Sequence, residues 1–189
     1  AGIFTTGRCY ADTLPEWVQR FNALKAYAAY AGRSWDLLLP PESYVEPDTV
    51  WEESNGSDFL FPHPFPVDPA TVARILANYP VMDSLTLAFA LQGLREKQLG
   101  AEAKRTDLLA VSLSTTDAIG HKYGPDSREI HDQILRLDRY LGSFLDSLFK
   151  LRDSRRILLA LTGDHGVSPL PEVHAGRYPN NDAKRVDLN

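Results

Sequence analysis

Cysteine is almost absent from the chain: Cys9 is the only one in 189 residues. That excludes an internal disulfide, a Cys-rich zinc site and a CxxC redox pair, and it assigns no compartment. Basic charge is not in excess either. Lys plus Arg total 20 against 25 for Asp plus Glu, a net charge of −5. A chain of that sign has no bulk electrostatic reason to bind nucleic acid. Long apolar runs are missing, so no segment is expected to span a membrane. Two catalytic signatures are missing as well, the G-x-S-x-G elbow and the G-x-x-x-x-G-K-[ST] phosphate loop. No basic-plus-apolar export signal precedes the first helix, and the chain opens on Ala1, which reads as a processed start or an excerpt.

What is present is an ordinary soluble balance, 43% hydrophobic and 24% charged residues. The length suits one domain or a large piece of a bigger one. Helical spacing of Leu14, Trp17, Val18, Phe21, Leu24, Tyr27 and Ala28 predicts a helix over 14–31, stopped by Gly32. Trp35 to Leu39 reads as a short strand. Six of the 13 prolines then fall between Pro40 and Pro66. Residues 40–66 read either as a lid over a substrate or as a surface crossing held by Phe59, Phe61 and Phe65. Asp68 opens a helix to about Asn78, and a second runs from Asp83 or Ser84 to about Leu99.

The second half is more informative. Residues 107–114, DLLAVSLS, and 156–161, RILLAL, are short apolar runs that suit strands buried on both faces. Between them lie a polar loop over Thr115–Asp126 and a periodic helix over Ser127–Phe149, with Ile134, Leu137, Leu141 and Leu145 in its stripe. Strand, helix, strand predicts a βαβ unit over 106–167, with the two strands parallel and the class α/β. Leu109, Val111, Leu113, Ile157, Leu158 and Leu159 are then core residues, and Leu158→Asp is expected to abolish soluble expression.

Each expected strand is followed by an Asp/His pair: Asp117 with His121, and Asp164 with His165. Loops at the carboxyl ends of parallel strands form the binding crevice of an open α/β sheet, so neighbouring strands would bring both pairs together. Carboxylate plus imidazole suits zinc, or manganese and iron in related sites. Two pairs suggest two ions, an arrangement that suits in-line displacement at phosphorus. Gly120 and Gly166 are expected where a side chain would crowd a tight turn beside each His. One Asp-x-x-x-His alone is a weak signal, and Asp164 alone could simply cap a helix; the two pairs after two strands carry the argument. His63, inside Phe-Pro-His-Pro-Phe-Pro, reads as packing. His131 reads as solvent-facing and His174 as surface. Glu129 reads as a cap or as an acceptor behind the site. Ser112, Ser114, Thr115 and Thr116 offer hydroxyls without a visible partner base.

The stretches Ser112–Pro125, Leu137-Asp138 and Leu161–Gly166 resemble the alkaline phosphatase superfamily. Within it they are most similar to the branch of type I phosphodiesterases, nucleotide pyrophosphatases and phosphate-irrepressible alkaline phosphatases. Leu14–Val18, Phe21-Asn22 and Phe61–His63 look like the phosphatase members. The resemblance implies an α/β/α sandwich with a mostly parallel sheet, incomplete in this chain, and 1–189 as part of one catalytic domain. It implies two zinc ions. Asp117 and His121 would ligate one, and Asp164 and His165 the other. The family's nucleophilic Ser or Thr, its phosphate-binding groups and a further His have no counterpart here. The parent is thus expected to be a zinc-dependent phosphate monoester hydrolase working through a covalent phospho-Ser/Thr, acting on a small phosphate ester, with this chain alone inactive. The alternatives are a phosphodiesterase or nucleotide pyrophosphatase of the same fold, and a non-catalytic binding module. The resemblance also implies a periplasmic or secreted parent. Open sheet edges suggest association with another chain.

Overall fold

The computed structural model describes residues 2–50 and 53–178, together with 180, 184 and 186. Six α-helices and one short pair of strands are formed among them. Helix α1 is Glu16–Ala23. The predicted longer helix breaks after it, because Lys25 takes a left-handed φ of 45°. The chain resumes as a 3-10 turn over Ala26–Tyr30, which turns Tyr27 and Tyr30 toward the core. Strand β1 (Ser34–Trp35) pairs antiparallel with β2 (His63–Pro64), in the register Ser34↔Pro64 and Trp35↔His63. Residues 40–66 therefore return to the core at their far end.

Helix α2 (Pro69–Ile75) starts at the expected cap, where the Asp68 carboxylate accepts from the Ala70 and Thr71 N–H groups. Those are donors that a helix start leaves without intrahelical partners. Helix α3 is Val81–Glu96. The expected polar loop over Thr115–Asp126 is largely helix α4, Thr115–Tyr123. Helix α5, Arg128–Leu151, is capped by Ser127, whose hydroxyl accepts from Ile130 N–H. Helix α6 is Pro171–Arg177.

Two apolar clusters organise these elements. The first joins Trp35, Phe65, Val72, Leu76, Tyr79, Val81, Ile119 and Tyr123. The second lies between α3 and α5 and joins Leu87, Ala90, Leu94, Phe144 and Leu148, with Val111, Leu113, Leu141, Leu145 and Ile157 packed against it. Asp132 pins the first cluster to α5. Fully buried, it accepts from Trp35 Nε1, Leu38 N–H and Tyr44 O–H, each at 2.6 Å.

The two strands of the expected βαβ unit are not formed among the described residues. Residues 107–114 and 156–161 make no strand pairing, and the only sheet among the described residues is the β1–β2 pair. Leu108, Leu109, Leu158, Leu159 and Leu161 are exposed, with Leu158 96% accessible. Only Val111, Leu113 and Ile157 of the expected strand core reach the second cluster. A central strand needs ladder partners on both edges, and without them its backbone and half its side chains face water. The physical basis for a lethal Leu158→Asp is thus absent in this chain.

Candidate metal centre

Helix α4 is the element that builds the site. Asp117 and His121 stand four residues apart, so they share one helical face. Asp117 Oδ1 lies 3.4 Å from His121 Nε2. Ile119, Gly120 and Tyr123 lie on the buried side of the same helix. The packing that buries Ile119 therefore turns Asp117 and His121 outward.

The second pair arrives on the extended segment after residue 161. His165 Nε2 lies 3.8 Å from Asp117 Oδ1 and 3.6 Å from Asp164 Oδ2. All four expected residues are thus brought to one locality, with Asp117 between the two imidazoles. Asp117 Oδ1 is itself buried and has no hydrogen-bond partner. His165 Nδ1 lies 3.0 Å from the Gly166 carbonyl. A carbonyl only accepts, so Nδ1 carries the proton and a neutral ring keeps its Nε2 lone pair free, the tautomer a metal ligand requires. The same Gly166 bond and the nearby Asp164 and Asp117 carboxylates raise the His165 pKa. Among the described residues, no three His, Cys, Asp or Glu side chains close into a metal-binding cluster. An orphaned carboxylate oxygen facing two imidazole nitrogens nonetheless fits a cation chemically.

The glycine expectation is corrected. A Cβ at Gly120 would meet Ile130 and Val167 at an ordinary 3.6 Å, and one at Gly166 would meet nothing within 4 Å. The demanding position is Gly124, which ends α4 with φ 88° and where a Cβ would stand 3.1 Å from Leu170 Cγ. Both features favour glycine.

Sequence reasoning missed the groups that hold α4. His63 is fully buried between two carboxylates, with Nδ1 3.0 Å from Asp58 Oδ1 and Nε2 2.8 Å from Glu129 Oε1. Burial by itself would lower the His63 pKa, but the hydrogen bonds to Glu129 and Asp58 outweigh it and the pKa is raised. Glu129 is buried on α5. The cap of that helix is Ser127, and Glu129 is instead the partner of His63. Lys122 Nζ and Tyr123 Oη donate to Asp58 Oδ2, at 2.6 and 3.1 Å. At the other end of α4, Asp83 accepts from Thr115 N–H at 3.4 Å and from Gln133 Nε2 at 2.8 Å. Burial pushes the Asp83 carboxyl above its usual range. No local spacing links residue 63 to 129, or 83 to 133, so neither pairing had a signal in the sequence.

The remaining assignments resolve simply. His131, expected to face solvent, is bound to Glu46 at 2.9 Å and packs edge-on against Tyr44. His174 is half-buried on α6, beside Tyr178. Ser112 and Ser114 are exposed and face each other at 3.2 Å.

Residues 5–187 match the family model described as type I phosphodiesterase / nucleotide pyrophosphatase. Alkaline phosphatase PhoV of Synechococcus elongatus is 36% identical over 183 residues, covering 94% of this chain and 33% of that protein. A protein named calcium-transporting ATPase, from Myroides odoratus, is 34% identical over 202 residues, covering the whole chain and 36% of its own length. The crystal structure of wild-type alkaline phosphatase PafA aligns with a TM-score of 0.66 at 34% identity, over 76% of this chain and 28% of that one. That likeness gives the chain the alkaline-phosphatase-like α/β fold, with few of its strands formed here. The chain spans about a third of the length of the relatives it matches. By the extent of the family match and these identities, the chain belongs to the type I phosphodiesterase / nucleotide pyrophosphatase family.

Proposed function

We propose that this chain supplies the metal-side wall of the active site of a zinc-dependent phosphate monoester hydrolase. The observation that carries the reading is the buried, unpartnered Asp117 Oδ1 with His121 and His165 Nε2 facing it. Two ligands at about 2.0–2.1 Å from one tetrahedral ion stand about 3.3 Å apart. The Asp117–His121 separation of 3.4 Å supports their sharing an ion, and Asp164 with His165 would hold the second. When bound, such ions stabilise charge on the transferring phosphoryl group and lower the pKa of an attached oxygen.

The residues of this chain present and orient the ligands. Packing of Ile119 and Tyr123 fixes which face of α4 the site occupies, and the Gly166 carbonyl fixes the tautomer of His165. The attacking Ser or Thr, through which a covalent phospho-enzyme would form, is read as coming from residues beyond 1–189. The chain alone is therefore read as inactive. The substrate class is a small phosphate ester. The alkaline phosphatase names among the relatives support the monoester, and the family description supports a diesterase or pyrophosphatase as the second reading. No helix among the described residues is long and apolar enough to cross a membrane. A periplasmic or secreted location, association through residues 107–114 and 156–161, and lack of nucleic-acid binding belong to the same proposal.

The test is an assay of the full-length protein on p-nitrophenyl phosphate and on bis-p-nitrophenyl phosphate, before and after chelation and after zinc is returned. Faster, zinc-restored monoester turnover is expected. Faster diester turnover selects the second reading. Absence of either activity, with the zinc-loaded protein folded, points to a non-catalytic binding module.

A further inference from the structure

Helix α4 is only nine residues long, too short to be stable or to hold a direction by itself. Burial of Ile119 fixes which face it turns outward, and polar contacts grip its two ends. The grip at the carboxyl end is a chain of ionisable groups, buried at Tyr123, His63 and Glu129 and part-exposed at Lys122 and Asp58: Lys122 and Tyr123 bind Asp58, Asp58 binds His63 Nδ1, and His63 Nε2 binds Glu129 on α5. One carboxylate thus stands against each ring nitrogen of His63. The grip at the amino end is Asp83 of α3, which accepts from Thr115 N–H and from Gln133 of α5. None of these groups is one of the four proposed ligands.

We infer that His63, held between Asp58 and Glu129, is a positioning residue that, with the Asp83–Gln133 contact, clamps α4 at both ends and so holds Asp117 and His121 at the geometry a metal ion requires. The inference rests on the zinc reading above. Its leverage can be estimated. Tyr123 and Asp117 are six residues apart, about 9 Å along a helix axis. A pivot of about 10° at one end moves Asp117 by about 1.5 Å, where functional sites tolerate about 0.5 Å. The 40–66 segment, which supplies Asp58 and His63, would then act on the site through α4 without touching a ligand.

The experiment uses the full-length protein and measures zinc affinity by competition with a chromophoric chelator, with amide exchange over residues 115–124 of the zinc-free protein as an independent readout. Three variants are compared: His63→Ala; Glu129→Gln, which keeps an acceptor oxygen without the charge; and Leu148→Ala, a core truncation in the second cluster away from α4. His63→Ala is expected to weaken zinc binding about tenfold or more, within the range seen for groups behind metal ligands, and to speed exchange within α4. Glu129→Gln should lose less, and it carries the test if His63→Ala does not fold. Leu148→Ala should lower the melting temperature and leave zinc affinity near wild type. Unchanged zinc affinity in both site-side variants overturns the inference, as does an equal loss in Leu148→Ala. A wild-type protein that retains no zinc overturns the metal reading itself, and that result is known before any variant is compared.

Discussion

The two apolar clusters differ in how they are finished. The first closes on itself: Trp35, Val72, Ile119 and Tyr123 are buried, and the polar groups among them, His63, Asp132 and Glu129, find partners inside the chain. The second is closed on the α3–α5 side only. Beside it runs a trough of about 590 Å³, lined by residues 106–109, Val111, Leu113 and residues 156–161 together with Leu141, Leu145 and Leu148. Apolar runs that would suit a buried strand here present Leu108 and Leu158 to water, 89% and 96% exposed. Side-chain packing between helices can be completed by a chain of this length. A parallel sheet cannot be completed without every strand that hydrogen-bonds into it, because each unpaired edge leaves donors and acceptors to solvent.

The sharpest way to break the contrast is to attack the closed cluster at Asp132. Asp132→Ala leaves the Trp35 indole N–H, the Tyr44 hydroxyl and the Leu38 N–H without their acceptor, and strips Arg136 of its ion-pair partner. A loss of about 3–5 kcal/mol is expected, read by urea titration. Next comes Ile119→Ala. Its side chain is fully buried, and truncation should cost about 2–5 kcal/mol by the same measurement.

A pH series addresses the buried charges. The folded pKa of His63 is raised, so the folded state holds that proton more tightly than the unfolded chain does. The resulting stability is fully present below the unfolded value of about 6.5 and is lost as pH rises through the higher folded value. Asp58 is shifted downward by His63 and Lys122 against its own burial, so its contribution is lost only on the acid side. Melting temperatures should therefore fall on the alkaline side, and His63→Gln should flatten that slope. An unchanged slope in the variant would show that His63 is not the titrating group.

The smallest effect is expected in the open cluster. Leu158→Asp in residues 1–189 should change stability by less than about 0.5 kcal/mol, because its side chain is already in water. In the full-length protein the same change should cost several kcal/mol if partner strands cover it. Equal effects in the two contexts would mean that residues 156–161 are not a sheet strand at all.

Local features were legible from residue order because they depend on near neighbours. The Asp68 cap, the apolar stripe in the second half of α5 (Leu141, Leu145 and Leu148) and the i, i+4 spacing of Asp117 and His121 all involve residues within a turn or two; Ile134 of the expected stripe is exposed, and the first half of α5 buries Glu129, Asp132 and Gln133 instead. The same reading went wrong over Thr115–Tyr123. Its polar residues, with Gly120 and Gly124, suggested a loop, yet burial of Ile119 and Tyr123 against the first cluster stabilises a helix that intrinsic preference alone would not. His63 packs as expected, buried against Trp35 and Phe61, but its bond to Glu129, 66 positions away, had no local signal; His131 was misjudged, because Glu46 lies 85 positions away.

By itself the sequence determined which side chains are candidate ligands, the approximate bounds of α2, α3 and α5, and the family to which the chain belongs. Only the tertiary structure decided that Asp117 stands between two imidazoles, that buried ion pairs clamp α4, and that the apolar runs over 107–114 and 156–161 lie unpaired. The physical reason is range. Helix caps and periodicity are settled within a few residues, whereas a buried charge or a strand edge is settled by whichever distant segment arrives to satisfy it.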